Sequence, residues 1–587
     1  MKKKIFGLIL IYFSVFVLIY GVVILNPFYT DWIVAKMEPT MVKILECYAS
    51  YPEMLRDVPG NHLDFLAFLN SNAGIIYSDM NAFPFKSGIL FVDYIPILSI
   101  FAKFLKMIFM KGAEFVDFQY MGIVGAFNFI LIGLFSFLII KKITKCGYFN
   151  ALLGSLFFVI SPVLLERFPV HFALSSQWLV LAAFLPFLYY REFLEKKKYL
   201  ILYWLVLGFL DAGTQVYFLP TTGFIVIAFM FYDYFMSGDK KTLWGYLPAL
   251  GLGAFLVYLI AGGLGAQVSA ETDLHWFSLY AFNLNSFYNP TISENFFYST
   301  LLPFLNGRFL VKDVCNWEGF SYLGAGILLP LLPIVFYLLV NLPRKSFREK
   351  HSEFLSKYKI AIFVGAIFFV VTMIYACSYE IYFNQRLVVN IELPVFVQKI
   401  LSIFRAPGRV IWADFYLIYF FVICFIIKNF KAFFVSLMLG VLIVVQAVDL
   451  SVFFRIYHGL YAHKTVYESP LKNEKWNNLK DSKKYLFISD IERLKPYHYR
   501  DVFYWALKNN FKINALINSR IPKDESLVLY DRMHEPTDDD LFVFLPYQKS
   551  MVGENSNLSN CYFLDGFIVC VKSDIPALRQ YKIDVKK

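Results

Sequence analysis

The chain has 587 residues, of which 58% are hydrophobic, 20% aromatic and only 17% charged, with a formal net charge of +11. That apolar share and shortage of charge exclude a soluble enzyme, and ordinary counts of glycine (31) and proline (24) exclude collagen-like repeats and disorder. A positive balance fits nucleic-acid binding or a multispan protein that keeps Lys and Arg on one side, so the positions of the charges decide.

Lys2 to Lys4 precede an apolar run from Ile5 to Leu25. It is longer than a signal-peptide core and is not followed by a small-residue cleavage site, which predicts a retained anchor with its N-terminus inside. Further apolar segments able to cross about 30 Å of hydrocarbon lie at 88–110, 119–140, 148–165, 171–190, 199–215, 216–236, 245–262, 321–343, 360–377, 408–427 and 432–449. The short basic loops are Lys141 to Lys145, Arg191 with Lys196 to Lys198, Lys240 with Lys241, Arg344 to Lys359, and Lys428 with Lys431, all expected on the cytoplasmic side. With the N-terminal lysines they hold twenty basic residues against five acids (Glu192, Glu195, Asp239, Glu349 and Glu353), which leaves the rest of the chain slightly negative. The excess charge is therefore topological, and nucleic acid is not an expected partner.

Parity along these anchors excludes 88–110 as a simple crossing. Its Asp93, Pro96, Lys103 and Lys106 suit an interfacial or membrane-dipping helix whose charges snorkel to water. The expected fold is a polytopic α-helical membrane protein with about eleven spans plus this segment; the competing count is twelve spans with one charge-rule violation at Lys141 to Lys145. Residues 1–450 form the membrane domain, with outer loops at 26–118, 263–320 and 378–407. Residues 451–587 form an extracytoplasmic α/β domain with strand-like runs at Tyr485 to Ser489, Ser526 to Tyr530 and Leu541 to Leu545.

Seven cysteines without a Cys-x-x-Cys and eight unclustered histidines argue against a zinc site. Cys561 to Cys570 reads as two apolar strands around an Asp565-Gly566 type I′ turn, with Leu564 opposite Phe567 and Cys561 opposite Cys570 in a non-hydrogen-bonded pair. Either a cross-strand disulfide or two buried thiols satisfies that geometry. In the first loop, Asp31, Asp57, Asp64, Asp79 and Asp93 are interleaved with apolar residues, as in Asn61 to Leu69, a pattern of amphipathic helices lying on a bilayer. Phe404-Arg405-Ala-Pro-Gly-Arg409 places two guanidinium groups around a turn before a span, suited to a lipid phosphate or diphosphate or to headgroup anchoring. Asn283 to Pro290 and Trp317 to Gly324 have the polar-aromatic texture of sugar recognition or of an interfacial belt.

Taken in order, Asn26-Pro27, Trp32, Val92-Asp93-Tyr-Ile-Pro96, Gln177-Trp178, Tyr217-Phe-Leu219, Asn283 to Pro290, Glu318 to Gly324, Phe404 to Arg409 and Leu564 to Phe567 carry a resemblance over nearly the whole chain. It resembles a bacterial multispan family, a domain of unknown function grouped with the GT-C glycosyltransferases. The resemblance implies a multi-pass protein of the bacterial cytoplasmic membrane with a first outer loop holding an acidic catalytic residue. The family's Gly-Asp pair before a His-aromatic stretch is matched here by Arg56-Asp57 followed by His62, with Gly60-Asn61 as the alternative alignment. Asp57 is thus the first candidate base and Asp93 the second; Gln177 stands where the family often has His.

The chemistry implied is inverting transfer of sugar from a polyprenyl-phosphate donor to an envelope glycan, lipid or protein acceptor. Asp57 or Asp93 acts as base, Arg405 and Arg409 hold the donor phosphate, and Asn283, Asn285, Glu318 and His62 contact sugar or acceptor. A divalent metal is compatible with this chemistry, although the candidate acids do not cluster along the chain. The alternatives are a transporter or flippase for lipid-linked sugar, to which Asp211 and Asp233 in apolar segments would suit, or a non-enzymatic envelope assembly protein.

Overall fold

The computed structural model describes residues 2–34, 51–194, 197–240, 244–265, 275–293, 296–297, 299–302, 316–488, 499–514, 525–555 and 557–585. Six helices are long and apolar enough to cross a membrane: Lys3–Tyr20, Met121–Thr144, Phe218–Ser237, Leu355–Cys377, Pro407–Asn429 and Ala432–Asp449. Tyr148–Val159, Phe172–Leu188, Tyr246–Ile260 and Ala325–Asn341 are shorter apolar helical stretches. Their outward faces leave large apolar side chains bare, Leu18, Leu332, Phe336 and Phe433 among them. Water would not tolerate a belt of this kind; lipid does, and the chain is a membrane protein.

Glycines set how closely the helices pack. Gly133 of Met121–Thr144 lies under the Tyr12 ring, and Gly208 and Gly253 let Lys197–Thr214 and Tyr246–Ile260 approach at backbone distance, where a Cβ would meet Leu250 O or Leu205 O at 2.0 Å. Two segments expected to be continuous spans are instead interrupted. The 148–165 run breaks at Ser161, whose extended backbone precedes Pro162 and a short helix, Pro162–Arg167. The 171–190 run is a chain of short helices, with Pro186 opening Leu185–Leu188. The first interruption exposes a place where Glu166, Arg167 and His171 can leave the helical ladder.

Residues 51–118 depart from two expectations. Helix Tyr51–Asn70 does not lie on a bilayer: from Val58 to Asn70 it is buried, packed between helix Arg500–Lys508 and helix Pro96–Phe109. Its Asp64 accepts from Asn81 at 3.1 Å. Helix Pro96–Phe109 has fourteen residues and a length of about 21 Å, short of a hydrocarbon core. Its lysines do not snorkel to water. Lys103 is buried and donates to Tyr77 O at 2.6 Å, and Lys106 donates to Asn70 Oδ1 at 2.9 Å. The outward face carries Phe101, Phe104 and Ile108. The polar face is spent on protein and the apolar face is the bare one.

The C-terminal region folds around a six-stranded sheet in the order Lys582–Ile583, Asn560–Leu564, Phe567–Val571, Asp540–Phe544, Tyr485–Ile488, Lys512–Ile513. The first four strands are mutually antiparallel and the last three mutually parallel. Tyr485–Ile488 and Asp540–Phe544 occupy runs expected as strands. The third run, Ser526 to Tyr530, is helical within Glu525–His534, because Leu529 and Met533, four apart, bury one helical face. Leu564 faces Phe567 across a turn in which Asp565 (φ 46°) and Gly566 (φ 85°) are both left-handed, and Cys561 and Cys570 form a disulfide. Helix Ser451–Tyr461 packs on Lys2–Tyr20, so the sheet unit begins beyond it.

Candidate functional site

Junctions between helices supply the charged residues. Asp93 lies just before Pro96–Phe109. Glu166, Arg167 and His171 lie in the interruption after Tyr148–Val159, and Gln215 and Tyr217 connect Lys197–Thr214 to Phe218–Ser237. Glu318 and Arg409 sit in the short turns Asn316–Gly319 and Pro407–Ile411.

Asp93 is held on both oxygens. Gln215 Nε2 donates to Oδ1 at 2.8 Å, His171 Nδ1 lies 2.7 Å from Oδ2, and the Asp93 amide donates to Asn61 Oδ1 at 3.3 Å. An ionised carboxylate only accepts, so Nδ1 is the ring nitrogen carrying hydrogen. The Asp93 and His171 side chains each keep 17% of their surface exposed, enough to meet a solute while protein fixes their orientation.

A buried ionic cluster lies close enough to this pair for Asp93 to act electrostatically on Arg409 and His171 on Glu318, and the Arg409 guanidinium stacks on the Tyr217 ring 4.2 Å from the centroid. Arg409 donates to Glu318 twice, Nε to Oε2 at 2.8 Å and Nη2 to Oε1 at 2.5 Å, and Arg167 Nη2 reaches Glu318 Oε2 at 2.9 Å. Arg167 Nε also lies 2.7 Å from Glu166 Oε2, and its guanidinium covers Trp412. Burial alone would raise the Glu318 pKa, but the two guanidinium groups overcome it and hold the carboxyl well below the usual carboxylate range. At fully buried Glu166 the balance reverses, and burial outweighs Arg167 and pushes the carboxyl up.

Two glycines make the Glu318–Arg409 pair sterically feasible. A Cβ on Gly408 would stand 2.7 Å from Gly319 Cα and 2.8 Å from Tyr280 O, and one on Gly319 would stand 2.6 Å from Phe282 Cα. Only bare backbone lets the turns carrying Glu318 and Arg409 touch.

The structure sorts the residues expected from sequence. Asp93, Glu318 and Arg409 come together. Glu318 is committed to two arginines, which corrects its expected contact with sugar or acceptor. Arg409 is likewise turned inward onto Glu318, so Arg405 and Arg409 are not a twin phosphate fork; Arg405 alone stays partly exposed. Asn283 and Asn285 are clamps. Asn283 Nδ2 donates to Asn384 O at 2.9 Å and Asn285 Nδ2 to Asn384 Oδ1 at 2.6 Å, which spends on a hairpin turn the amides expected to bind substrate.

His62 is fully buried beside Phe65, with Nδ1 2.9 Å from the Tyr94 hydroxyl, so it does not reach a substrate. Burial pulls its pKa down from 6.5 to about 4, against the pull of Asp117. The Asp57 backbone lies in helix Tyr51–Asn70, and its side chain lies outside the described residues. His171, Gln215, Arg167 and Glu166 were missed. The available signal was their clustering at gaps between apolar runs. Among acids in apolar segments, Asp233 accepts from the Tyr190 and Tyr246 hydroxyls at 2.5 and 2.8 Å and so ties three helical segments together.

Among the described residues no group of three or more His, Cys, Asp or Glu is arranged to hold a metal ion. Both oxygens of Asp93 and both of Glu318 already have protein partners. These residues do not fit a divalent-metal site, and no step is derived through one.

Fold and site together define a polytopic membrane protein with a charged centre built from its helix junctions. Residues 9–451 match the family described as a domain of unknown function (DUF6311), and the chain belongs to that family. No curated protein matches it. Similar solved structures include the Archaeoglobus fulgidus oligosaccharyltransferase in complex with Zn and sulfate, at 12% identity and a TM-score of 0.38, covering 96% of this chain and 73% of that one. The apo form of the same protein is similar at 10% identity and a TM-score of 0.40, covering 97% and 75%.

Proposed function

We propose that this chain is a membrane glycosyltransferase of the GT-C kind, moving a sugar from a polyprenyl-phosphate carrier to an acceptor at the outer face of the cytoplasmic membrane. The observation that carries the reading is the Asp93 carboxylate, partly open and oriented on both oxygens by His171 and Gln215. A general base needs a lone pair held in place and a path to the proton it removes.

In the transfer step Asp93 accepts the proton of the acceptor hydroxyl while the acceptor oxygen bonds to the anomeric carbon, opposite the phosphate. The bond from that carbon to the phosphate oxygen breaks, its electron pair leaves on the lipid phosphate, and the sugar inverts. Growing charge on the phosphate calls for a cation without a carboxylate partner, the role we give Arg405. Arg167 and Arg409 share the Glu318 carboxylate and form the wall of the site. His171 and Gln215 are positioning residues. The envelope acceptor (glycan, lipid or protein), the eleven-span count, the inside N-terminus and the outside sheet unit belong to the same proposal.

The test is transfer by Asp93→Asn and Asp57→Asn variants reconstituted in bilayers, with a panel of polyprenyl-phosphate sugars. Asp93→Asn should lower the rate by about a hundredfold or more while folding persists; full activity in Asp93→Asn with loss in Asp57→Asn would move the base to the earlier position.

A further inference from the structure

Residues 378–407 join two of the long apolar helices, Leu355–Cys377 and Pro407–Asn429. They form an antiparallel hairpin, Glu380–Phe383 with Arg386–Asn390, and a short helix, Val395–Leu401. One side of this element is firmly held. Asn283 and Asn285 clamp its turn at Asn384, Leu284 donates to Tyr382 O at 3.1 Å, and the Ser278 hydroxyl donates to Glu380. The other side is bare and apolar. Val388 is 56% exposed, Phe396 67% and Ile400 61%, and no side chain of helix Val395–Leu401 is buried. Exposed Val395, Phe396 and Ile400 fall on one helical face, with the long Lys399 side chain among them, and Ile403 follows just beyond the helix.

Both ends of the element fix where that face lies. Only Ser378 and Tyr379 lie between Cys377 and Glu380, so the hairpin starts within about 10 Å of a membrane helix end. The headgroup zone on each side of the hydrocarbon is several ångströms deep, so the bare side chains are in reach of acyl chains. Charge does not oppose that position: within 380–403 Arg386 and Lys399 are matched by Glu380 and Glu392, and the long basic stems can reach headgroups from beside apolar neighbours. A two-stranded hairpin leaves N–H and C=O groups on its outer edges, and these need water or headgroups, so its backbone cannot sink into hydrocarbon.

We infer that the hairpin and helix of residues 380–403 are a bilayer-seated element, with Val388, Phe396 and Ile400 in the headgroup–acyl boundary of the leaflet on this side. The occupant of the bare face is lipid. The seat adjoins the charged centre, because Phe404 packs on Tyr217 and the Gly408 amide donates to Tyr280 O at 3.2 Å. It thus gives a lipid-borne molecule a flank along which to approach Arg405. The inference stands on the membrane character of the chain and does not depend on sugar transfer.

The experiment places a benzophenone amino acid at Phe396, and separately at Val388, in the full chain reconstituted in nanodiscs of phosphatidylcholine and phosphatidylglycerol. Tyr530, 52% exposed on the sheet unit, serves as the control position. After irradiation, lipid adducts at 396 and 388 should exceed those at 530 by about fivefold or more. Adducts no higher than at Tyr530, or crosslinks to a second copy in place of lipid, would overturn the inference. Two positions on separate secondary-structure elements keep the result readable if one variant misfolds.

Discussion

Glu318 is the residue on which two guanidinium groups converge, and its chemistry follows from being buried with both. Removing one partner of a buried ionic cluster leaves uncompensated charge, a larger loss than the cluster's net worth. Glu318→Gln should therefore destabilise the protein by about 3–5 kcal/mol, read as thermal or denaturant unfolding in detergent. A change below about 1 kcal/mol would mean that Arg167 and Arg409 find other acceptors. From sequence, Arg409 and Glu318 could be singled out because charged residues beside apolar runs are costly and must be used. That each uses the other was not legible: ninety-one residues separate them, and pairing across such a distance is a property of packing. His171 stands isolated in the sequence, and its partner Asp93 lies in a different segment, 78 positions away.

Elements, more than single residues, decide whether the charged centre forms. The turns Asn316–Gly319 and Pro407–Ile411 meet through Gly319 and Gly408, so Gly408→Ala should force them apart. Amide exchange over 316–319 should speed up by about tenfold, in keeping with overpacking costs of ~1–3 kcal/mol. Gly365, with open space where a Cβ would go, is the control, and Gly365→Ala should leave that exchange unchanged. Equal exchange in Gly408→Ala and the parent would show that the turns do not depend on close contact. Helix Tyr51–Asn70 makes a second, pH-dependent prediction. Folded His62 titrates near pH 4 and unfolded histidine near 6.5, so within that window only the unfolded chain gains the proton. Stability from neutral His62 is full above pH 6.5 and is lost as pH falls toward 4, by about 3 kcal/mol. His62→Phe should flatten the stability profile in this window; an unchanged slope would assign it to other groups. Amphipathic patterning revealed this helix but not its cover, since a polar-apolar alternation reads alike under lipid and under another domain. The broken runs at 148–165 and 171–190 are hidden for a related reason: hydropathy averages over the Ser161-Pro162 step in the first and over Pro186 in the second.

At the scale of the whole molecule, contacts sort the loops into two groups. Lys142 pairs with Glu192 at 2.6 Å, Lys197 with Asp239 at 2.9 Å, and Tyr148 donates to Lys4 O at 2.6 Å; all are residues of, or next to, segments the charge rule groups together. The first loop and the sheet unit form the other group. Lys512 donates to Asp79 at 2.7 Å, Ile513 N to Met80 O at 2.8 Å, and the Tyr504 hydroxyl to Asp117. Loop lysines are local signals in a sequence, whereas the docking of the sheet unit onto helix Tyr51–Asn70 is not. The central claim is that the centre around Asp93 transfers a sugar. The most direct test incubates purified protein in nanodiscs with polyprenyl-phosphate sugars labelled in the sugar, together with envelope glycan, lipid and protein acceptors. The account predicts a sugar mass added to one acceptor with release of free polyprenyl phosphate, and loss of both in Asp93→Asn. Movement of intact donor across the bilayer without any sugar transfer, or transfer that survives Asp93→Asn undiminished, would contradict it.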